Sequence, residues 1–168
     1  FCTTDPNSLN FKNKNIYYLP NCVDESLETL KIYNNDFYNS DVFFAMSHGV
    51  HRGVLKKGKI DLREKYLDKL IKKTSDIRFD CYGMKDSQPI WADDYIKAIS
   101  HSKIGLNLSQ GKSGNFYSSD RFSQLIGNGL LVMIDEKTKI QNFFNKDEIV
   151  SYKDINDLSE KIVKFSNN

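Results

Sequence analysis

Two solid apolar runs constrain this chain most. DVFFAMS at 41–47 and LLVMID at 130–135 show no alternation of polar and apolar positions, so a strand built from either is buried on both faces. A sheet with two buried faces needs helices above and below it, and parallel strands joined by helical crossovers supply them.

The remaining segments fit that demand. NIYYLP (15–20) reads as a first strand ending at Pro20, with a helical pattern starting near Asp24 or Ser26. DLREKYLDKLIKK (61–73) sets Leu62, Tyr66, Leu67, Leu70 and Ile71 at helical spacing with charge between them. DIRFDCYG (76–83) alternates Ile77, Phe79 and Cys81 like a strand and closes at Gly83. WADDYIKAISHS (91–102) predicts a helix with Trp91, Tyr95, Ile96 and Ile99 on one face, followed by KIGLNLS (103–109) as a strand. Phe122, Leu125 and Ile126 mark the next helix, which Asn128-Gly129 stops before LLVMID. A helix near 136–144, the strand EIVSYK (148–153) and the helix DINDLSEKIVKF (154–165) complete the pattern. The expectation is an α/β, Rossmann-like, three-layer domain on a mainly parallel sheet of about six strands.

A chain of 168 residues suits one domain with a real core. Residues 1–14 read as a peripheral segment left from a preceding domain, and 15–168 as the folded unit. The opening FCTTDPNSLN carries neither an initiator Met nor a signal peptide, which predicts a piece of a longer polypeptide. No apolar run approaches the roughly 18–20 residues that cross a bilayer. Cys2, Cys22 and Cys81 are widely spaced and form no CxxC, which argues against a disulfide framework or a zinc site and suits a reducing, cytoplasmic setting. A net charge of +2 is too mild to argue for nucleic acid.

In doubly wound sheets ligands bind outside the carboxyl ends of the strands, so the loops after the strands are where chemistry is expected. Two of them stand out. After the second strand come Ser47-His48-Gly49 and then HRGVLKKGK (51–59), which packs one Arg, three Lys and a His into nine residues. Before the helix at 120 lies QGKSGNFYSS, and a helix start offers free N–H groups and the positive end of a dipole, a site for an anion. Ser118 or Ser119 is the expected N-cap; plain capping, worth about 1 kcal/mol, explains a serine there without any ligand. Asp120 opposes an anion and Arg121 offsets it. His48 is a candidate base with a pKa near neutrality. His101 reads as an exposed helix end, Trp91 and Tyr95 as core, and Asp93-Asp94 as the acidic first turn of a helix rather than a metal pair.

At this point the chain resembles a known group. YYLPNCVD (17–24) is similar to the IPNGVD segment that opens the C-terminal, donor-binding domain of many GT-B glycosyltransferases, and Arg52-x4-Lys57-Gly58 to their R-x4-K-G pair. KIGLNLS, YSSDRFSQLIGNGLLVMID and EIVSYKDINDLSEKI resemble, in that order, the same domain of group-1, spore-maturation-type glycosyltransferases. The likeness spans 15–165. It implies a nucleoside diphosphate sugar as donor, with no further cofactor and no metal. By position, Arg52 and Lys57 would neutralise the diphosphate, with Gly49, Tyr117, Ser118, Ser119, Asp120 and Arg121 cradling it. Gln124 would hold the ribose, and Gly83, Gln88, Pro89 and Ile90 would line the base. The chain departs from the E-x7-E signature, having Phe116 and Gln124 where two glutamates stand, and it has Cys22 where Gly is usual.

The resemblance therefore implies a metal-independent transfer of sugar to an acceptor, in surface polysaccharide or glycan synthesis. Acceptor binding would fall to a missing N-terminal domain, which would also supply any peripheral membrane contact. The piece in hand would then bind donor with little turnover. Two other readings stay open, a non-catalytic nucleotide-sugar-binding module and a nucleotide-sugar epimerase on the same fold. A signalling receiver does not fit, because Ser47 and His48 stand where it needs a strand-end Asp.

Overall fold

The continuous apolar runs become the middle of a parallel sheet. The computed structural model describes residues 2–3, 15–47, 62–109 and 114–167. Two short strands, β1 (Cys2–Thr3) and β2 (Tyr17–Tyr18), pair in parallel with each other and form a small sheet of their own. The main sheet holds β3 (Ser40–Ala45), β4 (Phe79–Tyr82), β5 (Ser102–Asn107), β6 (Leu131–Asp135) and β7 (Val150–Tyr152) in the order β4-β3-β5-β6-β7, all parallel. Val42 of β3 stands opposite both Phe79 and Ile104, and Val42, Phe43 and Phe44 are wholly buried.

Among the described residues four helices cover the two faces. Helices α1 (Leu62–Lys73) and α4 (Ile155–Ser166) bury Leu67, Leu70, Leu158 and Ile162 against Val42, Phe44, Ile104, Leu106 and Met133. Helices α2 (Ala92–Ile99) and α3 (Asp120–Gly127) bury Ile99, Phe122 and Leu125 against Phe43, Val132 and Ile134. Each fully buried aliphatic side chain contributes about 1.5–3 kcal/mol. The alternation of Phe43 and Phe44 between the two cores is what a strand with period two requires. Close approach on the α3 side is allowed by Gly105, where a Cβ would lie 3.0–3.2 Å from Leu125 atoms.

The strand order places a switch point. From β3 the chain moves outward to β4 through α1, then returns across β3 to β5 through α2, so the helices on either side of this reversal lie on opposite faces. The carboxyl ends of β3 and β5 diverge here into different loops, which is where such sheets bind ligands.

Several expectations are corrected. The main sheet has five strands, not six, because NIYYLP forms only Tyr17–Tyr18 and pairs with Cys2–Thr3 instead of joining it. Those two residues belong to the segment expected to be peripheral. No helix follows Asp24. Its carboxylate accepts from Ser26 N at 2.9 Å and Ser26 Oγ at 2.7 Å, and its carbonyl accepts from Leu27 N and Glu28 N, so a single capped turn forms and is not continued. The segment 136–144 is two 3-10 turns, Glu136–Thr138 and Ile140–Phe143, split by Lys139 in the left-handed region at φ 57°. Trp91 is not core: it occupies the N-cap position of α2 and is 51% exposed.

Candidate functional site

The loop between β5 and α3 ends in the sequence Ser118-Ser119-Asp120-Arg121, and each residue takes a different task. Ser119 is the N-cap: its Oγ accepts from Phe122 N at 3.4 Å and donates to Asn107 Oδ1, also at 3.4 Å. Asn107 closes β5, so the cap ties the helix start to the carboxyl end of that strand. Ser118 is 2% exposed, and its Oγ has no hydrogen-bond partner among the described residues. Tyr117 is half-buried and Gln124 exposed.

Asp120 turns outward. Its carboxylate accepts from the Asn21 side-chain amide, and Ser123 Oγ donates to Asn21 O at 2.9 Å. The segment around Asn21 thereby straps the outer side of α3, close enough that a Cβ at Gly127 would lie 2.6 Å from Val23. That arrangement answers the objection that Asp120 would repel an anion at this helix start.

Arg121 does the opposite. It belongs to the helix on the α2 face, yet its guanidinium reaches over the end of the sheet and stacks on Phe44, 5.0 Å from a ring that belongs to the other core. One nitrogen donates to Leu108 O at 2.8 Å. Among the described residues it has no carboxylate partner. Burial, with Arg63 adding like charge, lowers its pKa to about 10. It nonetheless remains a cation at neutral pH, held at the β3/β5 switch point with no counter-charge among the described residues. Arg63 stands in the first turn of α1, directly after the basic loop.

The other expected positions divide. His48, Gly49, Arg52 and Lys57 lie outside the described residues. Gly83 is needed by the backbone: with φ 75°, a Cβ would sit 1.7 Å from Met46 O, and its amide donates to Ser87 O at 3.1 Å. This glycine and the buried Pro89 belong to the frame locking the end of β4 to β3, whereas Gln88 is exposed. Ile90 lines a cavity of about 380 Å³ beside β4 and α2, together with Asp80, Tyr82, Asp94, Lys97 and His101; Arg121 does not line it. Phe116, at φ 63°, packs its ring on Tyr18 and Phe143, with centroids 6.1 and 5.2 Å away.

Residues 63–168 match the model of the family described as glycosyl transferase-like. The chain belongs to that family. No curated protein matches it. The matched span runs from the first turn of α1 to the chain's end, so it contains β4 to β7, α2, α3, α4 and the whole Ser118–Arg121 cluster. Fold and family agree with the C-terminal half of a GT-B glycosyltransferase. No described helix of this glycosyl transferase-like domain is long and apolar enough to cross a membrane, and no described group of three His, Cys, Asp or Glu side chains is placed to hold a metal ion.

Sequence reasoning missed three participants. Asn107 could have been seen as a polar residue interrupting the apolar KIGLNLS at its carboxyl end. Asn21 and Phe44 carry no such signal, because their roles depend on long-range packing onto α3 and under Arg121.

Proposed function

We propose that this glycosyl transferase-like domain binds a nucleoside diphosphate sugar and serves a transferase that moves the sugar to an acceptor, in polysaccharide or glycan synthesis. The observation that carries the reading is Arg121. Its largely buried guanidinium has no carboxylate partner among the described residues, a gap that an anion would fill, and it lies at the carboxyl end of the sheet, where doubly wound sheets bind ligands. The helix start, Ser118, Ser119 and the lysine- and arginine-rich loop with Arg52 and Lys57 would complete a cradle for the diphosphate. Gly49 and Tyr117 would border it. Catalysis would then rest on stabilising the departing diphosphate by fixed positive charge. His48 would be the nearest base, and acceptor binding would belong to a partner domain.

One observation favours a second reading. Phe116 stands where E-x7-E relatives place a carboxylate, and its ring is committed to packing with Tyr18 and Phe143. A domain that holds the donor without acting on it would look the same at this position.

Calorimetric titration with UDP, GDP and ADP, beside an Arg52→Ala/Lys57→Ala double variant, tests the binding reading. Saturable binding of one nucleotide, weakened at least tenfold in the variant, is expected. A folded chain that binds none of the three would refute it. Sugar release by the full-length protein then separates transferase from binding module.

A further inference from the structure

Tyr95 is a tyrosine in the first turn of α2 whose ring packs edge-to-face on Phe43, centroids 5.4 Å apart. Its apolar half explains why helical spacing assigns it to the core. Its hydroxyl does not fit that assignment: Oη is buried and has no hydrogen-bond partner among the described residues. Leaving a buried hydroxyl unpaired is destabilising, and phenylalanine would pack the same ring without that penalty. A polar group kept in such a place calls for a partner that binds there.

Topology says where the hydroxyl lies. Helix α2 follows β4 and precedes the parallel β5, so it runs back down the sheet and its first turn sits at the carboxyl ends of the strands. Phe43, the neighbour of Tyr95, adjoins Phe44, the ring under Arg121. Tyr95 and Arg121 also sense each other electrostatically. Burial raises the Tyr95 pKa to about 12, so at neutral pH the phenol keeps its proton and can donate it in a hydrogen bond. Three segments thus bring polar groups to the carboxyl end of the sheet: Tyr95 from α2 and Ser118 from the loop before α3, both without a hydrogen-bond partner among the described residues, and Arg121 from α3, which among those residues has no carboxylate.

We propose that Tyr95 is a ligand-binding residue, its hydroxyl donating to a phosphoryl oxygen of the anion held by Arg121. The inference rests on the diphosphate reading above. It adds a wall from α2 to a site otherwise built around Arg121 and the start of α3.

The test is Tyr95→Phe, read by thermal unfolding and by titration with UDP, GDP and inorganic pyrophosphate, with Arg121→Lys alongside. The expected result has opposite signs in its two parts. The melting temperature stays level or rises, because an unpaired hydroxyl has been removed, while affinity for the preferred anion falls about tenfold, as for one hydrogen bond to a charged group. If Tyr95→Phe binds within twofold of the natural chain while Arg121→Lys weakens binding, the role of Tyr95 is refuted and the diphosphate reading stands. A Tyr95→Phe chain that unfolds more easily would also refute it, by showing that the hydroxyl has a structural partner. If the natural chain binds none of the three anions, the diphosphate reading fails and this one with it. Binding of pyrophosphate as tightly as UDP would show that the contact is to phosphate alone, with the nucleoside contributing nothing.

Discussion

On one face of the sheet two twelve-residue helices, α1 and α4, lie side by side; on the other, two eight-residue helices share the surface with 3-10 turns and the strap around Asn21. The first face is regular, and its core residues Leu67, Leu70, Leu158 and Ile162 are wholly buried. The second carries most of the irregular backbone: Lys31, before Ile32, Ala92, the first residue of α2, Phe116, in the loop before α3, and Lys139, before Ile140, all have positive φ. It also carries the hydroxyls of Tyr95 and Ser118, which have no partner among the described residues, and the root of Arg121. Non-glycine residues in the left-handed region cost of order 1–3 kcal/mol each and persist where the surroundings hold them. One face therefore supplies surplus stability, and the other uses some of it to hold polar groups in place.

The sharpest way to break that division is to weaken the regular face. Leu158→Ala removes a wholly buried side chain between α4 and the sheet and should lower stability by about 2–5 kcal/mol, measured by chemical denaturation. The affinity of the chain that remains folded for its nucleotide should not change. A loss of affinity in proportion to the loss of stability would mean that the two faces are not separable.

Arg121→Met makes the converse test. Among the described residues the guanidinium has one hydrogen bond, to Leu108 O, so stability should change by no more than about 1 kcal/mol, and the removal of a largely buried charge works in the opposite direction. Nucleotide binding should fall at least tenfold. If Arg121→Met unfolds the chain instead, the guanidinium is structural and the polar character of the second face has another cause.

The same division governs what the sequence could reveal. The helices of the regular face were legible because burial of one stripe writes a spacing: Leu67 and Leu70 in α1, Leu158 and Ile162 in α4. The continuous runs gave β3 and β6 for the same reason. On the other face spacing also marked α2 and α3, through Ile99, Phe122 and Leu125, but what departs from expectation there is local or long-range and no periodicity records it. The single turn after Asp24 is not continued into a helix, and Lys139 breaks the segment 136–144 at a single left-handed residue. The capping serine at 119 could be read from Ser-Ser-Asp before an amphipathic run. The reach of Arg121 across to Phe44 could not, since it exists only once β3 and β5 are neighbours. Tyr95 was read as core because half of it is core.

The smallest effect concerns how the regular face is fastened to itself. In α4, Asp157 accepts from Lys161 Nζ at 2.8 Å and from Lys153 N at 2.9 Å, and Lys161 also donates to Ser151 O on β7 at 2.7 Å. The Lys161 bond above all holds the Asp157 carboxyl below its ordinary pKa; desolvation opposes it, and the Lys153 amide and the two lysine charges add to the lowering. A carboxylate with a depressed folded pKa adds stability that is present above the unfolded pKa and is lost as pH falls through the folded one. The expected signature is a shallow loss of stability below about pH 4 that Asp157→Asn removes. Because the pair is still partly solvated, its size should be a few tenths of a kcal/mol, read from denaturation midpoints at pH 3 and pH 7. The substitution should leave nucleotide affinity at pH 7 untouched. A change in that affinity would show that the tie between α4 and β7 is felt at the switch point, and that the regular face does more than support the other.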